Sequence, residues 1–151
     1  CRTMYTFWKR TSPPPTLSTF DAPDRETCTV RRARTNTPLQ ALVLLNDPTY
    51  VEASRILAER LMTQGGATPA ERVRFAFVLA TARKPSDHEV AMLVELFTKQ
   101  KSRYASQRDE ALKLLANGEH PRNETLDPVE LAAWTNVVST ILNLDETVTK
   151  G

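Results

Sequence analysis

The side chains best suited to chemistry are concentrated between Phe20 and Asn36, where Asp21, Asp24 and Glu26 are interleaved with Arg25, Arg31, Arg32 and Arg34. Three carboxylates and four guanidiniums in a stretch without helical period are unusual, because each charge that leaves water on ordering needs a partner. Three readings follow. In the simplest, Asp24 and Glu26 pair with the neighbouring arginines and fix the loop. In the second, one carboxylate acts as a base while Arg31 and Arg32 hold a sulfate, phosphate or uronate. In the third, Asp21, Asp24 and Glu26 present oxygens to calcium. Asp21, Asp24, Arg25, Glu26, Arg31, Arg32 and Arg34 are therefore the candidate ligand-binding residues, and no residue is assigned a catalytic role.

Elsewhere the chemistry is sparse. Cys1 and Cys28 form no Cys-x-x-Cys or Cys-x-x-Cys-His and are too few for a tetrahedral zinc site, so no metal site is assigned and no haem attaches to this stretch. Cys28, between Thr27 and Thr29, is expected to sit in a packed, extended segment with a structural role, or to pair with an upstream cysteine in an exported parent. His88 falls in the first turn of a helix and His120 precedes Pro121, so both read as surface residues. Gly-x-Ser-x-Gly, His-Glu-x-x-His and phosphate-cradling glycine loops are absent, and the chain has only four glycines from which to build one.

The length of 151 residues, with 40% hydrophobic and 25% charged residues, suits one globular domain. The longest apolar run, Phe75 to Ala80, is far short of the roughly 20 residues of a membrane span. Because the chain opens at Cys1 inside an aromatic and basic stretch, it is expected to be part of something longer. The formal charge of +2 divides unevenly, the first 36 residues carrying +4 through seven basic and three acidic side chains. That arm also holds Tyr5, Phe7, Trp8 and Phe20, while Pro13 to Pro15 and Pro23 interrupt regular backbone. Its arginines follow acids and no helix suited to a DNA groove accompanies them, so nucleic acid is not expected as a partner.

Residues 1–36 thus read as an extended arm and charged loop, and residues 37–151 as a helical bundle. Proline fits a first helical turn, and a preceding Thr or Asp caps the free amides. Thr37-Pro38, Asp47-Pro48, Thr68-Pro69 and Asp127-Pro128 all show this pattern, and Gln40, Glu71 and Glu130 are placed to close capping boxes. Ser86 to Glu89 supplies a fifth start. Stops at Asn46-Asp47, Gly65-Gly66, Lys84-Pro85 and Asn117-Gly118 give helices near 38–45, 48–63, 69–83, 87–105, 108–117 and 128–144. Tyr50, Ala53, Leu57 and Leu61 form one apolar stripe, with Glu52, Glu59 and Arg60 pointing elsewhere. The helix over 69–83 is apolar nearly all round and is expected at the centre, with Phe77 and Trp134 in one core. The fold class is all-α, five to six helices preceded by a Pro-rich irregular arm.

The runs Tyr5 to Thr11, Thr19 to Arg32, Arg34 to Pro48 and Leu142 to Glu146 resemble the C-terminal part of the planctomycete-specific domain of unknown function of the PSD-one type. The resemblance transfers no catalytic residue. It implies a large exported or cell-envelope parent, with any haem in a separate cytochrome c domain and no cofactor in this chain. Two functions are open. One is a structural or interaction module docking through its arm on the upstream region of the parent. The other is a contribution of the Asp21–Arg34 loop to a shared site for an acidic or sulfated polysaccharide.

Overall fold

Helix entry is set by side chains that accept from the free amides of the first turn. In the computed structural model, which describes residues 6–9, 12–23, 26, 28–31 and 35–148, eight helices follow in order. They are α1 (Pro15–Thr19), α2 (Pro38–Asn46), α3 (Pro48–Gln64), α4 (Pro69–Thr81), α5 (Asp87–Ser106), α6 (Arg108–Leu115), α7 (Pro128–Leu142) and α8 (Asp145–Val148). Among the described residues there is no strand, only an isolated bridge between Lys9 and Ser12. The six long helices match the expected ones, and the two extra are single turns. Thr37, Thr68 and Ser86 close capping boxes with Gln40, Glu71 and Glu89. Asp127 caps α7 alone, because Glu130 turns away to Arg72 at 2.8 Å. α4 ends earlier than expected, where Ala82 takes a left-handed conformation (φ 59°).

The centre of the bundle is α7, not α4 as the apolar content of α4 suggests. Leu131 to Thr135 are buried in succession, as are Val137, Val138 and Ile141, and α3, α5, α6 and α4 pack around them. Ala132 and Ala133 keep the surface of α7 low beside Trp134, letting neighbouring helices come close. α4 lies to one side, burying Val73, Ala76 and Phe77 but leaving Val78 and Leu79 each 43% exposed. Phe77 and Trp134 do share one core. Trp134 stacks on Phe97 at 4.1 Å, and its indole N–H donates to Glu130 at 3.4 Å. Above this aromatic pair Glu130 also holds Arg72 and, at 3.6 Å, Lys101.

The buried face of α3 differs from the expected stripe. Ser54, Arg55, Ala58 and Leu61 are buried, whereas Ala53 is exposed. The cause is Arg55, whose guanidinium donates to Glu59 Oε1 at 2.9 Å and to the carbonyl of His120 at 2.6 Å, with Glu52 at 3.8 Å. Glu52 and Glu59 in turn accept from the backbone N–H groups of His120 (2.6 Å) and Asn123 (3.2 Å). The hydrogen bond from His120 is the main reason the Glu52 carboxyl sits below the ordinary carboxylate range. Gly118 completes the strap: at φ 99° its backbone lies so close to Glu52 that an added Cβ would stand 2.5 Å from the carboxyl carbon. The two acids first read as solvent-facing thus fasten residues 118–123 across α3.

Arg55→Met keeps the length of the side chain and removes its charge, leaving the His120 carbonyl without its donor and Glu52 and Glu59 without their cation. A loss of about 3 kcal/mol is expected, the low end for one-sided removal of a buried charge because Glu52 and Glu59 retain some solvent. Thermal unfolding checks this, with a fall of roughly 6–12 °C expected for a chain of this size; an unchanged midpoint would contradict the strap.

Candidate functional site

Of the seven candidate residues, Asp24, Arg25, Arg32 and Arg34 lie outside the described residues, and the expected charge network among Asp24, Arg25, Glu26, Arg31 and Arg32 lies largely outside them as well. Glu26 and Arg31 are exposed. Cys28 is exposed too, with a free thiol, so its side chain is not packed as the flanking threonines suggested. Among the described residues no group of three His, Cys, Asp or Glu side chains is placed to hold a metal ion.

Asp21 is the candidate whose surroundings are resolved in detail, and it is part of a joint. Pro15 at the first helical position starts α1, by the same rule as the longer helices. The turn closes with the Ala22 N–H donating to the Leu17 carbonyl at 2.9 Å and the Asp21 N–H to Ser18 at 3.2 Å. Those two bonds place Asp21 just past the helix end in the left-handed conformation, φ 58°, a position usually filled by glycine or asparagine. Its carboxylate then accepts from the Thr35 N–H and hydroxyl, both at 2.8 Å, which joins the two ends of the charged loop.

Gln40 holds that joint against the bundle. Only 2% exposed, its amide N–H groups donate to the Thr19 carbonyl at 2.8 Å and the Thr35 hydroxyl at 3.0 Å, with Asp21 Oδ2 at 3.4 Å. Its carbonyl oxygen accepts from the Thr37 N–H at 3.0 Å. Sequence reasoning found Gln40 as a capping residue and missed this second role, which depends on groups 19 and 21 positions upstream. The Phe20 and Tyr50 rings pack on each other, their centres 5.9 Å apart. Burial, reinforced by Asp47, raises the Tyr50 hydroxyl pKa.

Gln40 is the single fully buried residue of α2, while Leu39, Leu42 and Leu45 are 57%, 58% and 47% exposed. The helix turns its polar residue inward and three leucines outward.

A second joint, built on charge, lies beside the start of α2. Arg83 donates from Nε and Nη2 to Glu146, both at 2.7 Å, and to Glu89 at 2.6 and 3.0 Å, with its guanidinium 4.7 Å above the Phe77 ring. This fastens α8 to the start of α5. Asp145 on the same turn accepts from the Asn36 amide at 2.5 Å, and the Asn143 amide reaches the Ala41 carbonyl at 3.5 Å. Hydrogen bonds from Arg83 first, then from Ser86, hold the Glu89 carboxyl down to about 2.

The model of the PSD1 family, proteins of unknown function (DUF1553), matches residues 1–97. The chain belongs to that family. The matched stretch covers the arm, α1 to α4 and the first half of α5. No curated protein and no solved structure matches.

Two outcomes test these joints. Gln40→Glu preserves shape but sets a carboxylate against the Thr19 carbonyl and Asp21, so a loss of about 2 kcal/mol is expected together with faster proteolysis between residues 19 and 37; cleavage at the wild-type rate would count against the joint. For Glu89, a carboxyl lowered on folding stabilises fully above its ordinary value of 4.5, and that contribution disappears as pH falls through about 2. Arg83→Met should therefore lower the melting temperature at pH 6 and flatten its decline between pH 5 and pH 2, whereas parallel declines in the two proteins would show that Arg83 does not set the Glu89 titration.

Proposed function

We propose that this chain is a helical structural or interaction module of a larger exported or cell-envelope protein, and that the outward face of α2, with the arm beside it, docks on the upstream region of that parent. The observation that carries the reading is the orientation of α2: Leu39, Leu42 and Leu45 recur every third position and stand about half exposed or more. With about half of each leucine still open to water, covering one contributes roughly 1–1.5 kcal/mol, so a face of three is a reason for association rather than scattered surface hydrophobicity. The segment belongs to the part of the chain that carries the family match. Phe7 and Val30, 84% and 100% exposed, add apolar surface from the arm. The polysaccharide reading draws less support, since the Asp21 carboxylate is engaged by Thr35. No helix of the described residues is long and apolar enough to cross a membrane.

Leu42→Asp separates docking from folding. In the chain alone the site mostly faces water, so the change should cost about 0.5–1 kcal/mol, from lower helix propensity and the part of the leucine already covered. In the full-length parent it should cost about 1.5–3 kcal/mol and speed deuterium uptake in residues 38–46 and in the segment they cover. Equal, small effects in both proteins would overturn the reading.

A further inference from the structure

A cleft of about 510 Å³ opens on the outer side of α4, lined by Phe75, Val78 and Pro85 together with Arg74 and Lys84. Its position follows from α4 lying beside the hub: the residues of α4 that α7 does not cover form the floor, and the turn into α5 forms one wall. Phe75 is half-buried and Val78 is 43% exposed, so an apolar surface is present and accessible. The rim is cationic. Arg60 of α3 stands 6.0 Å from the centre of the Phe75 ring, and Lys84 has no carboxylate partner among the described residues. Arg74 pairs with Asp87 at 3.1 Å, but Asp87 is 99% exposed. A pair so open to water is worth about 0–1 kcal/mol and yields readily to a competing anion. Glu71, the acid of α4, accepts from the amides of Ala67 and Thr68 while its charge still acts on Arg74, so with Asp87 it offsets Arg74 and leaves Lys84 as the main cation of the rim.

We propose that this cleft binds an amphiphilic organic anion, the apolar body lying on Phe75, Val78 and Pro85 and the acidic head between Arg74 and Lys84. The volume lies within the range of small-ligand sites, and an apolar floor with a few placed charges is their usual construction. The charge complement selects the class: a neutral body of the same size leaves Arg74 and Lys84 unused, while a small anion without a body gains nothing from the floor. The site is separate from the docking face of α2 and stands whether or not that face is covered.

Octanoate, octanol and acetate, titrated at equal ionic strength into uniformly ¹⁵N-labelled chain, test body and head independently. Saturable shifts are expected for octanoate at residues 74–86, with octanol weaker by about tenfold or more for want of a charge-assisted contact and acetate by about tenfold or more for want of the apolar body. Lys84→Glu and Val78→Asp change exposed side chains and should leave the spectrum folded while weakening octanoate by a similar factor. Octanol binding as tightly as octanoate, shifts confined to residues 38–46, or unchanged octanoate affinity in Lys84→Glu would each overturn the proposal.

Discussion

A primary amide in the protein interior has to find partners for two N–H groups and a carbonyl, or the fold carries the cost of leaving them bare. Gln40 meets that requirement only by facing the arm, where Thr19, Thr35 and Thr37 supply what it needs. Successive residues of a helix are rotated by about 100°, so fixing Gln40 inward places Leu42 and Leu45 roughly opposite and Leu39 on the flank. The leucine face of α2 is thus a geometric consequence of one buried amide. Val43 and Leu44, on the same side as Gln40, are half-buried, as the rotation requires.

The bundle beneath offers α2 a stable platform because most of its buried polar groups are paired, the Nε of Arg55 being an exception. Trp134, fully buried, satisfies its indole N–H through Glu130, which also neutralises Arg72. Arg55 is placed in the interior with oxygens from the same helix and from the strap over it. The turn from α7 into α8 links two distant parts of the chain, holding Arg83 through Glu146 and the start of α2 through Asn36 and the Ala41 carbonyl. Each polar joint therefore ties a segment without a large core of its own to the helices that have one.

The helix starts were legible because proline at the first turn and a capping side chain before it act within a few residues. α1 shares the first-turn proline but not the capping side chain, since Pro14 precedes it, and three consecutive prolines, read as irregular backbone, concealed it. What neighbours what was less legible. Periodicity shows that α4 and α7 are both apolar, but the choice of centre depends on which helix has partners on every side. Arg55 on its apolar face gave no local signal, since its decisive acceptor lies 65 positions away. Asp21 was found as a charge and not as a helix terminator, because the left-handed turn depends on α1 having formed first. The Leu142 to Glu146 run, singled out by resemblance, lies beyond the matched residues and supplies the latch at α8.

The outward face of α2 is tested most directly by thiol labelling of Leu42→Cys in the isolated chain, resolved by peptide mass with Cys28 as the internal exposed reference. The account predicts that position 42 labels at a rate comparable with Cys28, and that adding Gln40→Leu slows it, because an apolar residue at 40 no longer holds the helix in its present rotation. Slow labelling at position 42 with Gln40 intact would contradict it.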